Sequence, residues 1–119
     1  MQIHVHQQHE TTIAEVLSDQ ILIQTPEEGL QLMVDLYYQG HGEIILHEQN
    51  ITPGFFDLKT GIAGEILQKF TTYRVRLAIV GDFAKYDSKS LRDFIFESNK
   101  GRQVNFVPSV EEALRRLAS

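Results

Sequence analysis

Two short runs in the sequence, Ile44-Ile45-Leu46 within Glu43–His47 and Leu77-Ala78-Ile79-Val80 within Val75–Gly81, are apolar at every position. A strand with one wet face alternates polar with apolar, whereas an unbroken apolar run of this length belongs to a strand covered on both faces. Such strands are joined by helices, and helices are what lie between them here. From Thr60 to about Thr72 the spacing of Ile62, Ile66, Leu67 and Phe70 predicts one helix. Asp87-Ser88 predicts the cap of a second, bearing Leu91, Phe94 and Ile95 and ending at Gly101. Strands separated by helices pair in parallel through right-handed crossovers, so these runs place the chain among α/β folds.

The flanks fit the same architecture. Ile3 to Val5 and Thr11 to Val16 alternate as half-buried strands, and Ile21-Leu22-Ile23 reads as a third β-like segment after the turn at Ser18-Asp19-Gln20. Thr25-Pro26-Glu27-Glu28 supplies an N-cap, a proline at the first helical position and an acid at the third. Leu30, Met33, Val34 and Tyr37 continue that helix on one face until Gly40 and Gly42. A loop, Glu48 to Asp57, comes after the first buried strand. Gln103 to Val107 is the last strand, and Ser109-Val110-Glu111-Glu112 is a second capping box, opening a helix through Leu114 and Leu117. The expected order is β-β(-β)-α-β-α-β-α-β-α over residues 1–119. It describes one domain with a mixed, mostly parallel sheet of four to six strands, an N-terminal hairpin and about four helices.

Composition narrows the chemistry. The 119 residues contain no Cys, which removes disulfides, thiolate nucleophiles and Cys-ligated metals. Neither a basic leader followed by an apolar stretch nor a run long enough to span a membrane occurs, so the expectation is a soluble, cytoplasmic protein without a membrane partner. Charge is uneven: residues 1–58 hold nine acids and no Lys or Arg, while all eleven bases lie in residues 59–119, for a net charge of −5. Seven of the bases, Lys69, Arg74, Arg76, Lys100, Arg102, Arg115 and Arg116, fall at predicted helix C-termini and strand starts. Cations there complement helix dipoles, and in an acidic molecule this argues against nucleic acid as a partner. His4 and His6 would share one face of a strand, with His9 close behind, but no zinc-type spacing accompanies them. The expectation is an edge strand with exposed imidazoles, no metal and no cofactor.

In open parallel sheets ligands bind beyond the carboxyl ends of the strands. The loops expected there carry His47 and Glu48, then Asp57, Lys59, Thr60 and Gly61, then Asp82 and Lys85, and last Pro108-Ser109. His47 and Glu48 with Asp82 are an acid–base set of a generic kind, and no nucleophile elbow, P-loop or GxGxxG accompanies them. Thr60, at or near the start of a helix that succeeds a buried strand, would sit in the positive end of the helix dipole, where a phosphate is well accommodated. Asp57 or Thr60 serving only as a cap is the structural alternative.

The stretches IILHEQNITPGFFDLKTGIAGEILQKF and RVRLAIVGDFAKYDSKSLRDFIFESNKGRQVNFV resemble a small bacterial family known only as a domain of unknown function, DUF4180. That resemblance implies no activity. More distantly, the element order and FFDLKTGIAGEIL look like the STAS domains of anti-sigma-factor antagonists. Their motif, Asp-Ser-Ser-Gly with Leu-Gly after it, carries a phosphorylatable Ser before the Gly. On that likeness Thr60-Gly61 matches the phosphoacceptor-Gly pair and Ile62-Ala63-Gly64 roughly matches the Leu-Gly portion, although Asp57 lies one residue further upstream and Leu58-Lys59 replace small residues. The resemblance implies a non-enzymatic interaction or regulatory module that docks on a protein partner, with Thr60 as the candidate phosphoacceptor. The alternative is a small-ligand binder or small enzyme using His47, Glu48, Asp82 and Lys85. Pairing of the acidic half with the basic half in trans is a further expectation, making a second copy a candidate partner.

Overall fold

A computed structural model describes all 119 residues. Strands β1 (Gln2–Gln8), β2 (Thr11–Leu17), β3 (Glu43–His47), β4 (Arg76–Val80) and β5 (Val104–Val107) form one sheet in the order β1-β2-β3-β4-β5. Helices α1 (Pro26–Tyr38), α2 (Ile62–Thr72), α3 (Lys89–Lys100) and α4 (Val110–Leu117) complete the domain. β1 and β2 are an antiparallel hairpin closed by His9 and Glu10, and the β2·β3, β3·β4 and β4·β5 pairs are parallel.

Each strand from β2 onward adds beside the previous one, and a right-handed crossover repeated in one direction sets every connecting helix on the same face. The main core lies under those helices. α1 through Met33 and Leu36, α2 through Ile66 and Phe70, and α3 through Leu91 pack with Val16, Ile44, Leu46, Leu77, Ile79 and Phe106. These are the alternate strand positions that point to one side. The opposite set, Ile13, Ile45, Ala78 and Val107, meets only α4, through Ala113 and Leu117. One eight-residue helix cannot cover a five-stranded face, so the β1–β2 side of that face is left to polar side chains.

Local signals act where the sequence places them. Thr25, Ser88 and Ser109 accept hydrogen bonds from the amides of Glu28, Leu91 and Glu112. α1 ends in a left-handed residue at Gly40 (φ 96°), with Gly40 N–H donating to Tyr37 O and His41 N–H to Leu36 O. α2 ends in the same way, except that Arg74 takes the left-handed position at φ 57°.

Three expectations need correction. Ile21–Ile23 is not a strand of the sheet: both flanks of β2, which it directly follows, are taken by β1 and β3. Instead the Leu22 and Ile23 amides donate to Asn50 O, Thr52 N–H donates to Ile23 O, and the Ile23–Ile51 bridge stands alone. The buried Asn50 side chain donates to Ser18 O and Gln20 O and ties the two segments together. The stretch after β3 is no open loop, since short 3-10 turns occupy Glu48–Asn50, Pro53–Phe56 and Leu58–Thr60. α2 therefore starts at Ile62, with Gly61 (φ 78°) as its N-cap in place of Thr60. No helix is long and apolar enough to cross a membrane.

Candidate functional site

Two carboxylates organise the carboxyl ends of the strands. Glu15 of β2 is 7% exposed and lies on the face that α4 leaves open. His6 on β1 and His47 on β3 occupy positions diagonal to it, within reach of long side chains. His6 Nε2 lies 2.7 Å from Glu15 Oε1 and His47 Nε2 lies 2.6 Å from Oε2, so one carboxylate links three neighbouring strands. Burial by itself raises the Glu15 pKa; the hydrogen bonds and charges of His47 and His6 outweigh it and hold the carboxyl below its usual 4.5. The His4 ring leans against His6 at a centroid distance of 4.3 Å.

The second carboxylate, Glu48, opens the turn after β3. Its Oε2 receives the Tyr86 hydroxyl and pairs with Lys85 Nζ at 2.8 Å, while Oε1 accepts Asp82 N–H at 3.3 Å. Burial, then the hydrogen bond and charge of Glu48, push the Tyr86 hydroxyl pKa upward, so it remains a donor. Gly81 makes this packing feasible, because a Cβ there would stand 2.6 Å from Glu48 Oε1 and 2.7 Å from Glu48 Cβ. Tyr86 also stacks on Phe56, with centroids 5.1 Å apart and planes 18° from parallel.

Around Glu48 lies a cleft of about 470 Å³ lined by His47, Glu48, Gln49, Lys85 and Tyr86 on its polar side and by Ile21, Ile51, Pro53 and Val80 on its apolar side. Of the four residues expected to act together, His47, Glu48 and Lys85 line this cleft. Asp82 does not: its carboxylate caps its own turn by accepting Ala84 N–H, and it lines a neighbouring hollow with Phe83, Phe106 and Pro108. The acid–base set of His47, Glu48 and Asp82 is thus not assembled, since His47 turns to Glu15.

The other candidates lie in the turns ahead of α2. The Thr60 hydroxyl donates toward Gly54 O (2.7 Å) and Asp57 O (2.9 Å) and accepts from Ile62 N–H (3.2 Å). Asp57 caps the last turn by accepting Lys59 N–H, and Asp57, Lys59, Thr60 and Gly61 are all exposed. Pro53, at the start of this segment, is part of the cleft wall. No group of three or more His, Asp or Glu side chains has the arrangement of a metal site.

Sequence reasoning missed Glu15 and Tyr86, and it read His6 as an exposed imidazole, whereas His6 is half-buried and bonded to Glu15. Glu15 carried a usable signal: it breaks an otherwise apolar run, Ile13-Ala14-Glu15-Val16, and a buried acid requires a partner. Its partners come from strands nine and thirty-two residues away in sequence, and no spacing announces that.

A family model described as a domain of unknown function (DUF4180) matches residues 8–117. No curated protein and no solved structure matches the chain.

Proposed function

The chain belongs to the DUF4180 family, and we propose that it acts as a non-enzymatic interaction or regulatory module of the STAS-like kind, switched at Thr60. The observation that carries this reading is the Thr60 hydroxyl, which clasps the exposed segment ahead of α2 by donating toward Gly54 O and Asp57 O. Phosphorylation removes that donor hydrogen and adds about −1.5 to −2 charges beside Asp57. The clasp then opens, and the shape and charge of the surface at the start of α2 change together. A binding role also fits the state of the nearby carboxylates. Glu15 is held between two imidazoles, and Glu48 between Lys85, Tyr86 and a backbone amide, an arrangement that rigidifies a surface better than it moves protons.

The test is phosphothreonine mapping on protein purified from its natural source, together with partner retention by wild type and Thr60→Glu. The expected result is modification at Thr60 and a partner bound by wild type but released by Thr60→Glu. Unmodified Thr60 with every co-purifying partner retained by Thr60→Glu overturns the proposal.

The cleft supports a second reading, a small polar ligand held by Glu48 and Lys85 against the apolar wall of Ile51 and Val80. A compound that raises the wild-type melting temperature should lose that effect in Lys85→Ala, whose side chain is half exposed. Equal shifts in both proteins would place the compound elsewhere.

A further inference from the structure

The two edges of the sheet are treated in opposite ways. At β5 the exposed main chain is closed by side chains of α3: the Asn99 amide donates to Phe106 O and accepts Phe106 N–H, and the Ser98 hydroxyl donates to Val104 O. Side-chain cover of this kind blunts an edge that would otherwise pair with another chain. β1 has no such cover, for no side chain and no loop amide bonds to a main-chain group of Gln2–Gln8. The usual protections are missing too. The strand contains no Lys, Pro or other formal charge, and its register with β2 runs unbroken from Gln2↔Leu17 to Gln8↔Thr11 without a bulge.

We propose that the outer edge of β1 pairs antiparallel with β1 of a second copy of this chain, about a two-fold axis at Val5, joining two five-stranded sheets into one. The sequence of the strand selects the occupant. Side chains alternate across a strand, and the face that carries His6 reads Gln2, His4, His6, Gln8, which is the same in both directions. An antiparallel copy centred on Val5 therefore sets Gln2 against Gln8, His4 against His6 and Val5 against itself. Every pair on the Gln/His face then joins residues of one kind: amides that both donate and accept, and imidazoles that lie side by side, as the tilted His4 and His6 rings already do within one strand. A foreign strand needs only an alternating pattern, and the palindrome is useful only to a copy. Charge agrees, since each chain carries −5 yet β1 has none of the sixteen acids. Val5, 51% exposed in the single chain, becomes the residue on the axis.

The absence of Cys makes the arrangement directly testable. Opposed residues of an antiparallel pair have Cβ atoms about 4.5–5.5 Å apart, and the closest of these separations meets the upper end of what a disulfide spans, about 4.5 Å. Under mild oxidation Val5→Cys should become a covalent dimer, while Tyr38→Cys, 80% exposed on α1, should stay a single chain. Light scattering should give wild type at twice the 13.6 kDa chain mass. Val5→Lys, which sets two like charges face to face, should be a single chain with an unchanged circular dichroism spectrum. If Val5→Lys fails to fold, the cross-linking result decides. A single-chain mass for wild type at high concentration overturns the proposal and leaves the edge to a different strand. A dimer that survives Val5→Lys, or that cross-links through Tyr38→Cys and not through Val5→Cys, overturns it in favour of another face.

Discussion

The strand ends on the two sides of the sheet use charge differently. At the carboxyl side, side chains pair with side chains: Glu15 with His6 and His47, Glu48 with Lys85 and Tyr86. At the amino side, cations go to the main chain. The Arg76 guanidinium donates from Nε to Arg102 O, from one Nη to Leu117 O and Ser119 O and from the other to Arg116 O, at 2.8–3.2 Å. Arg116 in turn donates to Asn99 O near the end of α3. The amino side is thus a set of helix C-caps that α4 needs to stay on the sheet, because Ala113 and Leu117 are its only fully buried anchors. The carboxyl side ties up polar groups around an open cleft that the core does not require. One side is built to hold the fold, and the other to present a surface.

That contrast can be broken at either side, with effects of graded size. Arg76→Ala should be the most damaging, because it strips charge-assisted bonds from four carbonyls at once. We expect a loss of about 3 kcal/mol in urea unfolding, with little recovery in Arg76→Lys, whose ammonium cannot fork across the same acceptors. Gly81→Ala probes the other side. Its Cβ would meet Glu48 Cβ at 2.7 Å, so Glu48 must leave Lys85 and Tyr86, at a cost of about 1–3 kcal/mol. Tyr86 near-ultraviolet circular dichroism should report that displacement.

Glu15 gives a pH signature in place of a fixed cost. Its folded pKa lies below the unfolded 4.5, so its contribution to stability is complete above pH 4.5 and is lost as pH falls through the folded value. Wild type should therefore show an acid limb in a plot of stability against pH that Glu15→Gln lacks. The smallest effect has the opposite sign. Arg74 holds a left-handed conformation (φ 57°) after α2, and Arg74→Gly should relieve strain and raise stability by roughly 0.5–1 kcal/mol. A fall in melting temperature for Arg74→Gly would mean that the Arg74 side chain contributes more than its backbone costs.

Legibility differed between fold and site for physical reasons. Local chemistry decides caps and ends, so Thr25, Ser88, Ser109 and Gly40 act where their residue types predict. The buried runs Ile44-Ile45-Leu46 and Leu77-Ala78-Ile79-Val80 became central parallel strands because nothing else can cover them. Ile21–Ile23 misled because a β-like pattern does not reveal which segment its backbone will bond to, here Asn50–Thr52. Thr60 misled by one position, because Gly61 takes the left-handed capping position that a β-branched residue avoids. His47, Glu48 and Lys85 were legible as strand-end residues, but their partners were not. Glu15 reaches His47 only through the β2·β3 register, and Tyr86 meets Glu48 only after the Phe83–Lys85 turn sets it there.

The amino-acid sequence by itself determined the α/β class, the helix boundaries to within a turn and the strand parity, because periodicity, capping and alternation are local. Only the tertiary structure decided which edge of the sheet stays open, which carboxylate each imidazole meets and which helix stands alone on its face. Those outcomes depend on strand order and crossover direction, which bring together residues far apart in the chain.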